Sequence, residues 1–146
     1  MMSLIRIACA LALVLLAPIA QAQTKVPAEQ PLEALVKSSL LSFNDANVTG
    51  IYTVFHAKTS KPFRDQFSPE KLKKLFEEFR RKDIDIDIIA ALKPVYDPAP
   101  FVDSNGKLVV KGYFPTEPNR VNFHLDLIPS DGDWKLIEID VKLAKP

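Results

Sequence analysis

The chain has a single cysteine, Cys9, and no residue after it carries a thiol. The rest of the chain can therefore form neither a disulfide nor a Cys-based zinc site. A basic excess is also missing, because 19 lysines and arginines stand against 18 acidic residues. Nucleic-acid binders normally show a net or clustered basic excess, so we exclude a nucleic-acid partner. No motif specifies a reaction, a metal site or a cofactor, and we predict none.

The N-terminus has the pattern of a secretory signal. Residues 1–6 contain one positive charge, Arg6, residues 7–20 form an apolar run, and Ala20-Gln21-Ala22 places small residues at the peptidase positions. The run is shorter than the about 20 apolar residues that a membrane span needs. We predict a signal peptide over residues 1–22, cleaved after Ala22. The chain is then periplasmic or secreted, and its contact with a membrane is transient.

The remaining chain divides into a short leader over residues 23–30 and one domain over residues 31–146. Three helices are predicted in its first half. The first begins at Pro31 and carries apolar residues at helical spacing, Leu32, Leu35, Val36, Leu40 and Phe43. A break at Asn44–Asn47 precedes a short second helix over Val48–His56. Ser68 as N-cap and Pro69 at the first position begin the third helix.

The second half of the domain alternates with the period of a strand. Asp83, Asp85 and Asp87 alternate with isoleucines, which predicts one strand with a wet face and a buried face. Further strands are predicted at Leu108–Phe114, Arg120–Ile128 and Trp134–Leu143. The short connections between them favour antiparallel pairing. We therefore predict an α+β fold in which two to three helices cover one face of a curved antiparallel sheet of about four strands.

This order of elements, ending in Gly132-Asp133-Trp134-Lys135-Leu136-Ile137, resembles the cystatin-like α+β cone of nuclear-transport-factor-two-like proteins, most of all their exported bacterial members. The resemblance implies that helices cover the concave face of the sheet and leave a pocket, and that the opposite face forms a dimer contact. The group contains ketosteroid isomerases, dehydratases, polyketide-cyclase-like enzymes, transport adaptors and many exported proteins with no known activity. The resemblance therefore implies a fold without selecting a function.

A pocket inside such a cone would be lined mainly by aromatic residues. The candidates come from the second and third helices and the inward strand positions: Tyr52, Phe55, His56, Phe76, Phe79, Phe114 and Phe123. Such a pocket suits a small apolar ligand. The alternative is that these side chains pack on one another as core.

Polar residues occupy the other face of the late strands. His124 and Asp126 alternate with Phe123 and Leu125, so their backbones lie roughly 6.5 to 7 Å apart on one side. This arrangement can orient an imidazole for acid–base work. The alternative is a solvated charge ladder with Lys111, Glu138 and Asp140. No nucleophile accompanies the pair, and we assign no catalytic residue.

Apolar residues interleave with these charges on the face predicted to point away from the helices. They are Val109, Tyr113, Ile128, Trp134 and Leu136, and aromatic anchors among polar neighbours are typical of protein interfaces. We expect a homodimer or another protein partner to bind there. The sequence thus favours an exported binding or interaction module without catalysis. The alternatives are a protein that binds a small apolar ligand in the cone, and an isomerase, dehydratase or hydrolase of the same fold.

Overall fold

The computed structural model describes residues 25–146, in which helices pack against one face of an antiparallel sheet. The helices are α1 (Glu29–Thr49), α2 (Thr53–Lys58), α3 (Lys61–Gln66), α4 (Pro69–Leu75) and α5 (Glu77–Arg81), and a 3₁₀ turn follows at Asp87–Ala91. The strands are β1 (Val95–Tyr96), β2 (Phe101–Val102), β3 (Leu108–Phe114), β4 (Arg120–Ser130) and β5 (Asp133–Ala144). The predicted α+β class is confirmed. The predicted signal peptide and its cleavage site lie outside the described residues.

Helix α1 is longer than the sequence predicts and runs through the expected break. Its inner face is buried at helical spacing through Leu32, Val36, Leu40 and Phe43. Gly50 caps the C-terminus of the helix; its φ of 74° is left-handed, and its N–H donates to the Ala46 carbonyl oxygen at 2.8 Å. The predicted second helix is wrong at its start, because Val48 and Thr49 belong to α1 and α2 begins at Thr53.

The Ser68 cap is confirmed. Its Oγ accepts a hydrogen bond from the backbone N–H of Lys71 at 3.2 Å, and Pro69 stands at the first helical position. The third predicted helix is present as two short helices, α4 and α5, that meet at Phe76. Helix α3 was not predicted.

The strand predicted from the alternating aspartates is wrong. Asp83 has a left-handed φ of 48°, and the chain turns there before it enters the 3₁₀ turn. Ile86 is buried against the helices while Ile88 is 56% exposed, so the isoleucines do not share one face. The Asp85 carboxylate accepts hydrogen bonds from Asn44 Nδ2 at 2.7 Å and from the Asp87 N–H at 3.1 Å.

The sheet has the order β1-β3-β4-β5, with β2 also paired to β3, and every pairing is antiparallel. The predicted meander of the three long strands is confirmed. Strand β5 pairs with β4 alone and forms an edge of the sheet. Asp126 stands opposite Glu138 and Leu127 opposite Leu136, so Ile137 is an extra residue in β5 and forms a β-bulge.

Candidate functional site

A groove of about 950 Å³ lies between α1, the end of α2 and the start of β5. One wall is a single face of α1, and the facing wall is the segment from Phe55 to Thr59. The first four residues of β5, Asp133–Leu136, form the third side, and residues 25–27 also line the groove. The groove is therefore built where the helical layer meets the edge of the sheet.

The floor of the groove is apolar. Phe55, Trp134 and Leu136 line it while keeping only 2%, 8% and 4% of their surface exposed. Phe55 also packs against Phe43, with ring centroids 5.6 Å apart. The floor is thus the outer surface of the core, and well-packed core side chains hold it in shape.

The wall of α1 carries serines, and a lysine bonds to one of them. Lys58 Nζ donates to Ser42 Oγ at 2.8 Å, and that hydroxyl donates in turn to the Ser38 carbonyl oxygen at 2.7 Å. Within residues 25–146 no carboxylate comes within ion-pair distance of Lys58. Lys58 is exposed and therefore presents an uncompensated positive charge at the rim.

Lys135, the lysine that β5 contributes to the groove, already forms an ion pair. Lys135 Nζ lies 3.2 Å from Asp131 Oδ2, and Arg64 Nη2 lies 3.3 Å from the same oxygen. Hydrogen bonds from Lys135 and then Arg64 hold the pKa of the Asp131 carboxyl below its usual value. Asp133 is the one carboxylate among the lining residues. Lys25 also lines the groove, near the start of the described residues, whereas Lys58 is anchored to the groove wall through Ser42 Oγ and is thus placed to meet an anionic group there.

The interior of the fold, where the sequence placed a pocket, is filled by aromatic rings. Phe43 lies 4.7 Å from Phe76 and 5.2 Å from Phe79 between ring centroids, and Tyr52 stacks on Phe76 at 6.4 Å. On the sheet side Phe114 and Phe123 pack at 5.6 Å, and both are buried. Phe55 alone of the seven candidates lines the groove. The groove therefore lies beside the aromatic core rather than within it.

His56 points toward backbone rather than into the groove. Its Nε2 lies 3.4 Å from the Arg64 carbonyl oxygen, and the residue is half-buried. This contact bridges α2 to α3 and explains the position of His56 without a ligand.

The polar face of the late strands is only partly solvated. The prediction that Asp126 faces water is wrong, because it is 4% exposed. Lys107 Nζ lies 2.8 Å from one of its carboxylate oxygens and His124 Nε2 lies 2.9 Å from the other. Burial opposes ionisation, but these two hydrogen bonds outweigh it and keep the pKa of Asp126 below its usual value.

Glu138 and Asp140 stand opposite this pair on β5 and are exposed. Within residues 25–146, His124 and Asp126 line neither the groove nor the cavities that Gly50 and Glu33 line. Their hydrogen bond orients the imidazole, as expected, but on an open sheet face. This buried carboxylate is held by Lys107, just before β3, and by His124 on its own strand, so it links the start of β3 to β4, and we assign it no reaction.

Two of the five predicted interface residues lie on the wrong face. Trp134 and Leu136 belong to the buried core because the extra residue at the bulge reverses the alternation of β5 there. Val109, Tyr113 and Ile128 remain on the outer face, where Val109 is 8% exposed and the other two are half-buried. Tyr113 is covered by the Arg120 guanidinium, which lies 4.2 Å from its ring centroid.

Sequence reasoning missed the groove residues Ser42, Lys58 and Trp134 as a set. The only signal was the clustering of Ser38, Ser39 and Ser42 on one helix face, which resembles an ordinary solvated surface. Within residues 25–146 no three acidic, histidine or cysteine side chains form a metal-binding group. No helix in that part of the chain is long and apolar enough to cross a membrane.

Comparisons with protein-family models, with curated proteins and with solved structures each returned no match. The resemblance to the cystatin-like group therefore stays a prediction.

Proposed function

We propose that this chain is a binding module whose site is the groove between α1, α2 and β5. Its ligand is a small amphiphile with an apolar chain and one anionic group. The observation that carries the proposal is the pairing of an apolar floor with the uncompensated charge of Lys58 at the rim. The signal predicted over residues 1–22 supports an exported location for this module.

The apolar chain of the ligand supplies most of the binding free energy. Each methylene that leaves water for the floor contributes about 0.8 kcal/mol. The lysine contributes less, about 0.2 to 1 kcal/mol, because an exposed ion pair is weakened by water and salt. It orients the ligand, since the charged end must stay at the rim beside Lys58 and Ser42.

Fluorescence titration tests this proposal directly, because Trp134 is the only tryptophan of the chain and lines the groove. Decanoate is added below the concentration at which it forms micelles, and decanol serves as the uncharged ligand of equal chain length. We expect saturable changes in Trp134 emission with both. Lys58→Ala should weaken the binding of decanoate by up to about fivefold and leave the binding of decanol unchanged.

The matched control is Lys61→Ala. Lys61 is also exposed but lies outside the groove and pairs with Asp65 at 2.5 Å. Its replacement should leave the affinity for both ligands unchanged. Absence of a saturable response to either ligand would refute the groove as a site, and equal losses for decanoate and decanol in Lys58→Ala would refute the role of the charge.

A further inference from the structure

The outer edge of β5 is covered over its first part only. The Ser60 N–H donates to the Leu136 carbonyl oxygen at 2.9 Å, and α3 packs beside this stretch. Within residues 25–146 no other backbone hydrogen bond reaches the free edge beyond Leu136. The segment 138–144 therefore presents unpaired backbone donors and acceptors, which readily accept another strand.

The side chains of this segment are also incompletely covered. Leu143 is 42% exposed and Ile139 half-buried, although both lie on the face of the sheet that packs on the helices. Between them Asp140 and Lys142 project from the opposite face, with Oδ2 and Nζ 3.2 Å apart and side chains 48% and 74% exposed. The edge thus combines free backbone, exposed apolar surface and one charge of each sign.

We propose that a second copy of this chain occupies the edge, with β5 paired antiparallel to β5 about a twofold axis at Val141. A strand that pairs with itself must match its own sequence read backwards, so charge complementarity decides the register. With the axis at Val141, Asp140 stands opposite the partner's Lys142 and Lys142 opposite the partner's Asp140. On the other face of the sheet, Ile139 of each chain stands opposite Leu143 of the other, and these two contacts cover the exposed leucine.

The neighbouring registers are less favourable. An axis at Asp140 or at Lys142 places that charge opposite its own copy, and an axis at Ile139 places Glu138 opposite Asp140 twice. Like charges directly opposite one another on adjacent strands are destabilising. An axis at Leu143 avoids like charges but forms no ion pair and pairs a shorter stretch. The Val141 axis is the one that forms two ion pairs with no like-charge contact.

Sedimentation equilibrium of the purified chain across a range of micromolar concentrations tests the dimer. We expect a reversible monomer–dimer equilibrium for the natural sequence. Asp140→Lys places lysine opposite lysine twice and should weaken dimerisation about tenfold or more. The double variant Asp140→Lys/Lys142→Asp exchanges the two charges and should restore it.

Glu138→Lys is the matched control, since Glu138 faces Ala144 in the proposed register and its reversal should change the dimerisation constant little. Restoration in the double variant also shows that the single variant has not failed through misfolding. A chain that stays monomeric at the highest concentration would overturn the proposal. A dimer whose dimerisation constant does not change in Asp140→Lys would also overturn the proposal. A large loss of dimerisation in Glu138→Lys would overturn the proposed register. Binding of decanoate in the groove is measured separately and does not depend on this result.

Discussion

Replacing Asn44 by alanine should lower the free energy of unfolding by about 1.5 kcal/mol, although the substitution improves the local helix propensity. Asn44 is 3% exposed in the last third of α1. Its Oδ1 accepts the backbone N–H of Ile86 at 2.9 Å, and its Nδ2 donates to Asp85 Oδ1 at 2.7 Å. One side chain therefore holds the segment before the 3₁₀ turn against the helix.

The magnitude follows from what each partner does after the change. The Ile86 N–H is buried and loses its acceptor, at a cost of about 2 kcal/mol. The Asp85 carboxylate is exposed and turns to water at little cost. Alanine returns roughly 0.6 kcal/mol through its better helix propensity. The difference is the predicted loss.

Urea unfolding followed by circular dichroism measures this loss, and the slope with urea should not change. Asp45→Ala is the matched control, because Asp45 is the exposed next residue of α1 and should move stability by no more than about 0.5 kcal/mol. Hydrogen exchange at the Ile86 amide should accelerate in Asn44→Ala alone. The reasoning fails if Asn44→Ala loses no more than Asp45→Ala.

Asn44→Asp separates the two hydrogen bonds. The new carboxylate still accepts from Ile86, but its second oxygen meets the Asp85 carboxylate where an amide donor stood. Repulsion raises the pKa of the new group in the folded state above its unfolded value. Stability is therefore lost as the pH rises through the folded pKa, and the deficit should shrink as the pH falls from 7 toward about 4. A deficit independent of pH would refute this explanation.

Two further predictions concern the sheet. Gly112→Ala should abolish the pairing of β1 with β3, because an added Cβ would stand 2.0 Å from the Val95 carbonyl oxygen, and hydrogen exchange of the β1 amides would detect the loss. Unchanged protection would contradict it. Lys107→Met should lower the melting temperature at pH 7 because it removes a hydrogen bond to the buried Asp126. That carboxyl has a lowered pKa in the folded state, so its contribution is present above about pH 4 and is lost on acidification, and the gap to the natural chain should close below that pH. A gap that persists at pH 2 would show that the lysine acts through packing instead.

Sequence reasoning succeeded where the signal is local. The Ser68 cap needs only its own neighbours, and both ends of β3 and the start of β4 follow from alternation and turn residues within a few positions. Strand β4 itself continues two residues beyond the predicted Ile128, to Ser130. It failed at Asn44 because asparagine favours a break only when its side chain lacks a distant partner. Here the partners lie more than forty residues away, at Asp85 and Ile86. The same contacts explain why the aspartate–isoleucine alternation does not form a strand.

The groove was hidden for a similar reason. Lys58 and Ser42 come from different helices, and nothing in either helix alone predicts that they meet. The position of Trp134 depends on the bulge, which leaves no mark in a pattern of apolar and polar residues. Alternation with an unbroken period of two assigns Trp134 and Ile139 to opposite faces, whereas the structure puts both on the helical side.

The extra residue at Ile137 shifts the alternation of side chains along β5 by one position. Before Ile137, the even-numbered residues of β5 face the helices and form part of the groove floor. After Ile137, the odd-numbered residues face the helices, and the charged even-numbered residues lie on the opposite, open face of the sheet. A single continuous strand thereby supplies one set of side chains to the proposed ligand groove at one end and another set to the proposed dimer edge at the other. Substitutions in one half can alter its chemistry while leaving the phase of the other half intact.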